Sequence, residues 1–342
     1  MKAAIYHEPM KITTEEVPVP KVGDMDILVK VHSCWICGSD LHMYRLGLFT
    51  EGLCRNSECG MIPGHEYSGE VVEVGKSVTG IAVGDRVATL SIGGGMAEYA
   101  LVGPAYPGLT VWKVPDEVGW VEAATTEPLA NSLHATLLPN PKDGQNLMVF
   151  GAGIIGLGII QCIKALNIKP NKLIMVDVSD KRLGVAKQLG ADDVINAKTE
   201  DVYQRALALT GEVPVTILAG MMTTPAVDIV YDCVGYIQER PEPPVIQQAL
   251  MVAREYGKVV VHGVFEAPVS LQLLPMVFKH IQVLGSYGFI ISEDGDKALE
   301  LMRTKKVDRS KVISHEFPID QAKEAFDMQC QVDKSVKVMI NP

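Results

Sequence analysis

The feature that most limits what this chain can fold into is LMVFGAGIIGLGII at 147–160, an apolar run broken by glycines. LMVF has the character of a buried strand, and helical spacing follows the glycines. Between them lies GAGIIG, 151–156, with G-x-G-x-x-G spacing. Gly151 permits the tight turn out of the strand, Gly153 lets a pyrophosphate approach the backbone, and Gly156 lets the helix pack against the sheet. N–H groups at the helix start then face the phosphates. The next strand, KLIMVDV, ends in Asp177, 21 residues past Gly156. A carboxylate there accepts hydrogen bonds from ribose hydroxyls and repels a 2′-phosphate. A bound dinucleotide follows, NAD in preference to NADP, although Arg182 close by suits a phosphate. The run is too short to span a membrane, which takes about 20 apolar residues.

Strand and helix keep alternating around this unit. EAATTEPLANSLHATLL predicts one helix; then come NLMVFG, a helix at 154–167, KLIMVDV, a helix at 180–189, DDVINA, a helix at 199–209, DIVYDCVG, a helix at 243–253, KVVVHGV and IQVLGSY. That order predicts a parallel, doubly wound sheet, and its apolar strands fit a sheet covered on both faces. The first hundred residues differ. ILVKVHS (27–33), YSGEVVEVG (67–75), DRVATL (85–90) and MAEYALV (96–102), set apart by glycine and proline, predict a β-rich, barrel-like unit. The end of the chain reads helix, extended segment, helix, strand; it either extends the sheet or returns to the first unit. The expected fold class is α/β, with domains at 1–125, 126–288 and 289–342.

A net charge of -10 and a pI near 5.3, with no cluster of Lys and Arg, argue against a nucleic-acid partner. MKAAIYHEP has neither the apolar core nor the cleavage site of a secretory leader. Cysteines at 34, 37, 54, 59, 162, 233 and 330 are too scattered for a disulfide framework. The expectation is a cytoplasmic protein with reduced thiols.

HSCWICGSDLHMY at 32–44 carries a C-x-x-C, and His65 and Glu66 lie in GMIPGHEYSGEV. Thiolate, imidazole and carboxylate are all zinc ligands. A structural site would need a second C-x-x-C; the C-x4-C at 54 and 59 has the wrong spacing. A redox pair belongs after a strand in a βαβ unit, and this one sits in the β-rich region.

ICGSDLHMY, PGHEYSGEVVEVG, VGDRV, TEPLANSLHA, GAGIIGLG, VDVSDKRL and GKVVVHG, in that order along nearly the whole chain, resemble the zinc-dependent medium-chain dehydrogenases, most of all the sorbitol and threonine dehydrogenases. The resemblance implies a GroES-like catalytic domain, a Rossmann domain, and a final segment that returns to the catalytic domain. It makes Cys37 and His65 zinc ligands, Glu66 a ligand or an exchanging near-ligand, and Glu127 the last ligand, direct or through water. It gives Ser39 the hydrogen bond to the substrate alcohol and makes His42 the outer member of a proton relay through the nicotinamide ribose. Backbone groups near Val234 and Val264 hold the carboxamide. Cys34 is then a plain buried thiol and His134 a helix histidine with its hydrogen bonds satisfied. The implied chemistry is hydride transfer from a polyol, sugar-like or amino alcohol to NAD in a homodimer or homotetramer.

Two departures from the family pattern stand out. GDRVATLSIGGGMAEYALV runs straight through the place where many relatives carry a four-cysteine zinc lobe, so one zinc per chain is expected. The segments 212–226 and 236–244 lengthen the nucleotide domain, and the expectation is that they lie near one another and shape the substrate cleft or a subunit contact. Competing readings are the same chemistry on a cyclic or acyl-thioester alcohol, for which Arg45 and Arg55 are the nearby cations, and a zinc-free nucleotide-binding relative that is no enzyme.

Overall fold

The computed structural model describes every residue except 51–54, 58–59, 92, 217–220, 238–242 and 289–290, and the side chains of 55–57 and 291–292. Cys54 and Cys59 lie outside the described residues. The chain divides into two compact units, Met1–Ala130 with Ile290–Pro342, and Asn131–Phe289.

The first unit opens with β1 (Lys2–Glu8), β2 (Lys11–Glu16), β3 (Ile27–Trp35), β4 (Arg55–Ser57), β5 (Gly60–Ile62), β6 (Glu66–Val74), β7 (Arg86–Leu90), β8 (Tyr99–Val102) and β9 (Val111–Lys113). Two features depart from the sequence reading. GSDLHMYRL forms helix α1 (Gly38–Leu46) inside the β-rich region, with Asp40, Met43 and Tyr44 on its buried face. The helix expected over EAATTEPLANSLHATLL is two, a single turn Trp120–Ala123 and then α2 (Thr126–Leu137). Threonine hydroxyls make the break: Thr125 Oγ1 donates to Glu122 O and Thr126 Oγ1 to Ala123 O, both at 2.7 Å. Such local bonds compete with the helical ladder. Pro128 then falls in the first turn of α2, where a missing N–H costs nothing.

The second unit contains β10 (Asn146–Phe150), α3 (Ile154–Ala165), β11 (Lys172–Asp177), α4 (Asp180–Leu189), β12 (Asp193–Asn196), α5 (Val202–Thr210), a hairpin of β13 (Glu212–Pro214) and β14 (Thr223–Pro225), β15 (Val227–Asp232), α6 (Val245–Val252), β16 (Ala253–Val261), α7 (Leu274–Phe278) and β17 (Gln282–Gly285). Six strands form one parallel sheet in the order β12–β11–β10–β15–β16–β17. The order reverses between β10 and β15, the doubly wound arrangement whose crevice opens at the strands' carboxyl ends. β10 is buried throughout, as helices on both faces require. The segments around 212–226 and 236–244 join the two ends of β15 in their described parts. The hairpin feeds the amino end of β15, while Tyr236 follows its carboxyl end. Six residues of strand separate these attachment points by about 20 Å.

The chain ends with α8 (Ile291–Arg303), β18 (Ile313–Pro318), α9 (Ala322–Cys330) and β19 (Lys337–Asn341). β19 pairs antiparallel with β3, Met339 opposite Trp35, which joins this segment to the first unit. The resulting seven-stranded sheet runs β18–β19–β3–β6–β7–β9, with β8 against β3. Val29, Val31, Tyr67 and Val87 share one core with Phe326 and Ile340. This is the return that the resemblance implied, and α/β with a GroES-like and a Rossmann domain is the observed class. Among the described residues no helix is long and apolar enough to cross a membrane.

Candidate metal centre and nucleotide site

Cys37 caps the amino end of α1, immediately after β3 has delivered Trp35 and Ile36 to the core. His65 and Glu66 lead into β6, where Glu66 stands opposite Trp35 across the ladder. The approach depends on Gly64, whose φ is +92; a Cβ there would lie 2.7 Å from both Cys34 Sγ and Met96 Cγ. One ligand atom each from Cys37, His65 and Glu66 lies within 4.8 Å of the other two. Glu127, in the first turn of α2, stands outside that trio, and its charge acts on His65.

Asp40 and Lys337 support the trio, and neither was singled out from the sequence. Asp40, fully buried, accepts the Cys37 N–H through Oδ2 at 2.9 Å and faces His65 Nδ1 through Oδ1 at 3.7 Å. Its spacing of three residues from the helix cap is the one signal that could have found it. Lys337 Nζ lies 2.7 Å from Glu66 Oε2, with both side chains buried. Burial opposes a charge on His65, yet the Asp40 carboxylate and Cys37 together hold its pKa well above the usual value. Burial, with the Glu66 carboxylate behind it, pushes the Cys37 thiol up. Buried polar atoms without a hydrogen-bond partner among the described residues gather here: Asp40 Oδ1, His65 Nδ1, both Glu66 oxygens and Lys337 Nζ. Such concentrated frustration is costly in a bare protein. A thiolate, an imidazole and a carboxylate converging in a buried space fit a zinc ion.

Ser39 and His42 sit three residues apart on α1, both half-buried, and so share a helix face. His42 meets the Phe49 ring edge-on at 6.3 Å. Cys34 is a fully buried free thiol on β3, and His134 is half-buried on α2.

In the second unit the glycines do what their spacing predicts. Gly151 has φ +95, and a Cβ on Gly156 would come within 1.9 Å of Gly151 O, whereas a Cβ on Gly153 would meet nothing within 4 Å. Gly153 thus leaves open space at the amino end of α3, where a pyrophosphate fits. Asp177 is turned toward this turn: Oδ2 accepts Ala152 N–H at 2.7 Å, and Oδ1 accepts the N–H groups of Val178 and Ser179 at 2.8 and 2.9 Å. Arg182 lies in the first turn of α4, its N–H on the cap Ser179. Val264 O takes the Tyr236 N–H and Val234 N–H goes to Asp232.

Two family models match the chain. The alcohol dehydrogenase GroES-like domain covers residues 23–116, and zinc-binding dehydrogenase covers 155–304. The chain belongs to the zinc-dependent medium-chain alcohol dehydrogenases. As a member it is an oxidoreductase acting on CH–OH groups. It is 28% identical to L-threonine 3-dehydrogenase of Bacillus velezensis, with 96% of this chain and 95% of that one aligned. Sorbitol dehydrogenase of Bombyx mori is 29% identical, with 99% and 98% aligned. Among solved medium-chain dehydrogenases, the 2R,3R-butanediol dehydrogenase of Bacillus subtilis superposes with a TM-score of 0.81 at 28% identity, over 100% of this chain and 99% of that one.

Proposed function

We propose that this chain oxidises a secondary alcohol of a polyol, sugar-like or amino-alcohol substrate to a ketone, with one zinc ion and NAD. The observation that carries the reading is the buried meeting of Cys37, His65 and Glu66 within 4.8 Å. These three residues hold the zinc, Glu127 stands by as a further donor, and Asp40 orients His65 through its other ring nitrogen. Zinc bound there supplies the Lewis acidity that lowers the pKa of an alcohol. Ser39 takes the alcohol proton and His42, one turn along the same helix face, carries it outward. Gly153, the amino end of α3, Asp177, Val234 and Val264 bind NAD, which accepts the hydride. The inward-held Asp177 carboxylate supports NAD over NADP, because a 2′-phosphate would meet a fixed negative charge.

The names of the relatives support the substrate class: threonine, sorbitol and butanediol each carry a secondary alcohol beside a carbon bearing nitrogen or oxygen. The protein works in the cytoplasm, where Cys34, Cys37, Cys162, Cys233 and Cys330 stay outside disulfides. It acts as a homodimer or homotetramer. β17, an edge of the parallel sheet with Val283 44% exposed, offers unpaired backbone groups to a second copy. A monomeric mass by light scattering would remove that part.

The deciding experiment is NAD reduction by purified protein across polyols, amino alcohols, cyclic alcohols and hydroxyacyl thioesters, with and without a zinc chelator. Chelator-sensitive turnover on a polyol or amino alcohol is expected. Turnover confined to cyclic alcohols or thioesters would transfer the same chemistry to those substrates.

A further inference from the structure

The Lys337–Glu66 pair is a salt bridge with both side chains nearly inaccessible, 2% and 1% exposed. It is built across three strands. Trp35 on β3 stands opposite Glu66 on β6 on one side and opposite Met339 on β19 on the other. Lys337 lies two residues before Met339 and shares its sheet face, since side chains alternate along a strand. The gap from β19 to β6 is two strand spacings, about 9.5 Å. The lysine spans it over the Trp35 ring, with Nζ 6.0 Å from the centroid. Of the two carboxylate oxygens, Oε2 makes the charge contact with the ammonium, at 2.7 Å; neither has a hydrogen-bond partner among the described residues.

We propose that Lys337 is a positioning residue that occupies Glu66 Oε2 and leaves Oε1 as the one carboxylate oxygen available to the metal, so that Glu66 serves as a single-oxygen ligand. The inference rests on the zinc reading above. It also gives the buried ammonium a purpose. A buried charge needs a partner, and an uncompensated Glu66 beside Cys37 would crowd the site with negative charge and offer two oxygens where the reaction needs an open position.

The test uses the full-length protein loaded with cobalt(II) in place of zinc, whose visible absorption weakens as the number of ligands rises, together with zinc affinity by competition with a chromophoric chelator. Lys337→Arg is expected to keep the wild-type spectrum. Lys337→Met, similar in volume and uncharged, is expected to weaken the absorption and to shift zinc dissociation on the order of tenfold. In a Glu66→Gln background Lys337→Met is expected to change neither. A wild-type spectrum and affinity in Lys337→Met, or the same change in the Glu66→Gln background, overturns the proposal. Should Lys337→Met fail to fold, the double variant Glu66→Gln/Lys337→Met removes both charges together. Zinc binding about tenfold weaker than wild type is then expected, and wild-type affinity there shows that Glu66 is no ligand and overturns the proposal. Wild-type protein that takes up neither zinc nor cobalt sinks the zinc reading itself, a result distinct from a loaded site indifferent to Lys337.

Discussion

At the scale of single residues, the site depends as much on what stands behind the ligands as on the ligands. Asp40 does two jobs with one carboxylate, capping α1 at Cys37 and facing His65. Asp40→Asn separates them. The amide still accepts the Cys37 N–H, but the charge beside His65 is gone. Zinc affinity is expected to fall 10- to 100-fold, measured by chelator competition, with helix content unchanged by circular dichroism. Unchanged affinity would reduce Asp40 to a helix cap. In the sequence Asp40 lies within HSCWICGSDLHMY and Lys337 within the strand-like SVKVMIN, neither with a role assigned. Neither belongs to a local metal pattern, so neither was legible.

At the scale of elements, the second unit holds two element ends closed by buried charged side chains. Helix α6 finishes without a basic residue in its last turn. Lys279 closes it from elsewhere, donating to the carbonyls of Leu250, Met251 and Ala253 at 2.8, 2.8 and 2.6 Å. Burial pushes its pKa down to about 8. Lys279→Met removes the ammonium from those carbonyls, leaving Thr224 Oγ1 as a long donor to Met251 and Ala253, and is expected to cost about 1–3 kcal/mol, seen as a lower denaturation midpoint; an unchanged midpoint would mean that water replaces the ammonium. Asp232 ends β15. Burial raises its pKa to about 6, although the N–H groups of Gly235 and Val234 pull the other way. A folded value above the unfolded one means that the charge costs stability above pH 6, up to about 3 kcal/mol, and that the cost fades as pH falls toward 4. Asp232→Asn is therefore expected to stabilise the cofactor-free protein at pH 8 and to lose that advantage near pH 4. A gain independent of pH would assign the effect to something other than the charge.

At the scale of the whole molecule, the proposed metal and nucleotide sites are built from residues of different units, so removing one should spare the other. Chelation is expected to abolish turnover while NAD binding by fluorescence titration persists, and zinc analysis is expected to return one ion per chain. The stretch between β7 and β8, residues 91–98, holds no cysteine; two ions per chain would contradict this. The nucleotide unit was legible because its information is local. G-x-G-x-x-G, the flanking strand and Asp177 lie within 31 residues, 147 to 177, and each glycine answers to the backbone beside it. The zinc trio was legible only through resemblance, because Cys37 and His65 are brought together by strand pairing that no spacing encodes. The break at Thr125 went unseen because helical periodicity does not register hydroxyls bonding back to carbonyls. The sequence by itself determined the alternation of strands and helices, the phosphate turn and the kinds of ligand present. Only the tertiary structure decided that Lys337 meets Glu66, 271 residues away. Period two tells which face of a strand a side chain takes, but which strands become neighbours, and in what register, is set by packing of the whole sheet.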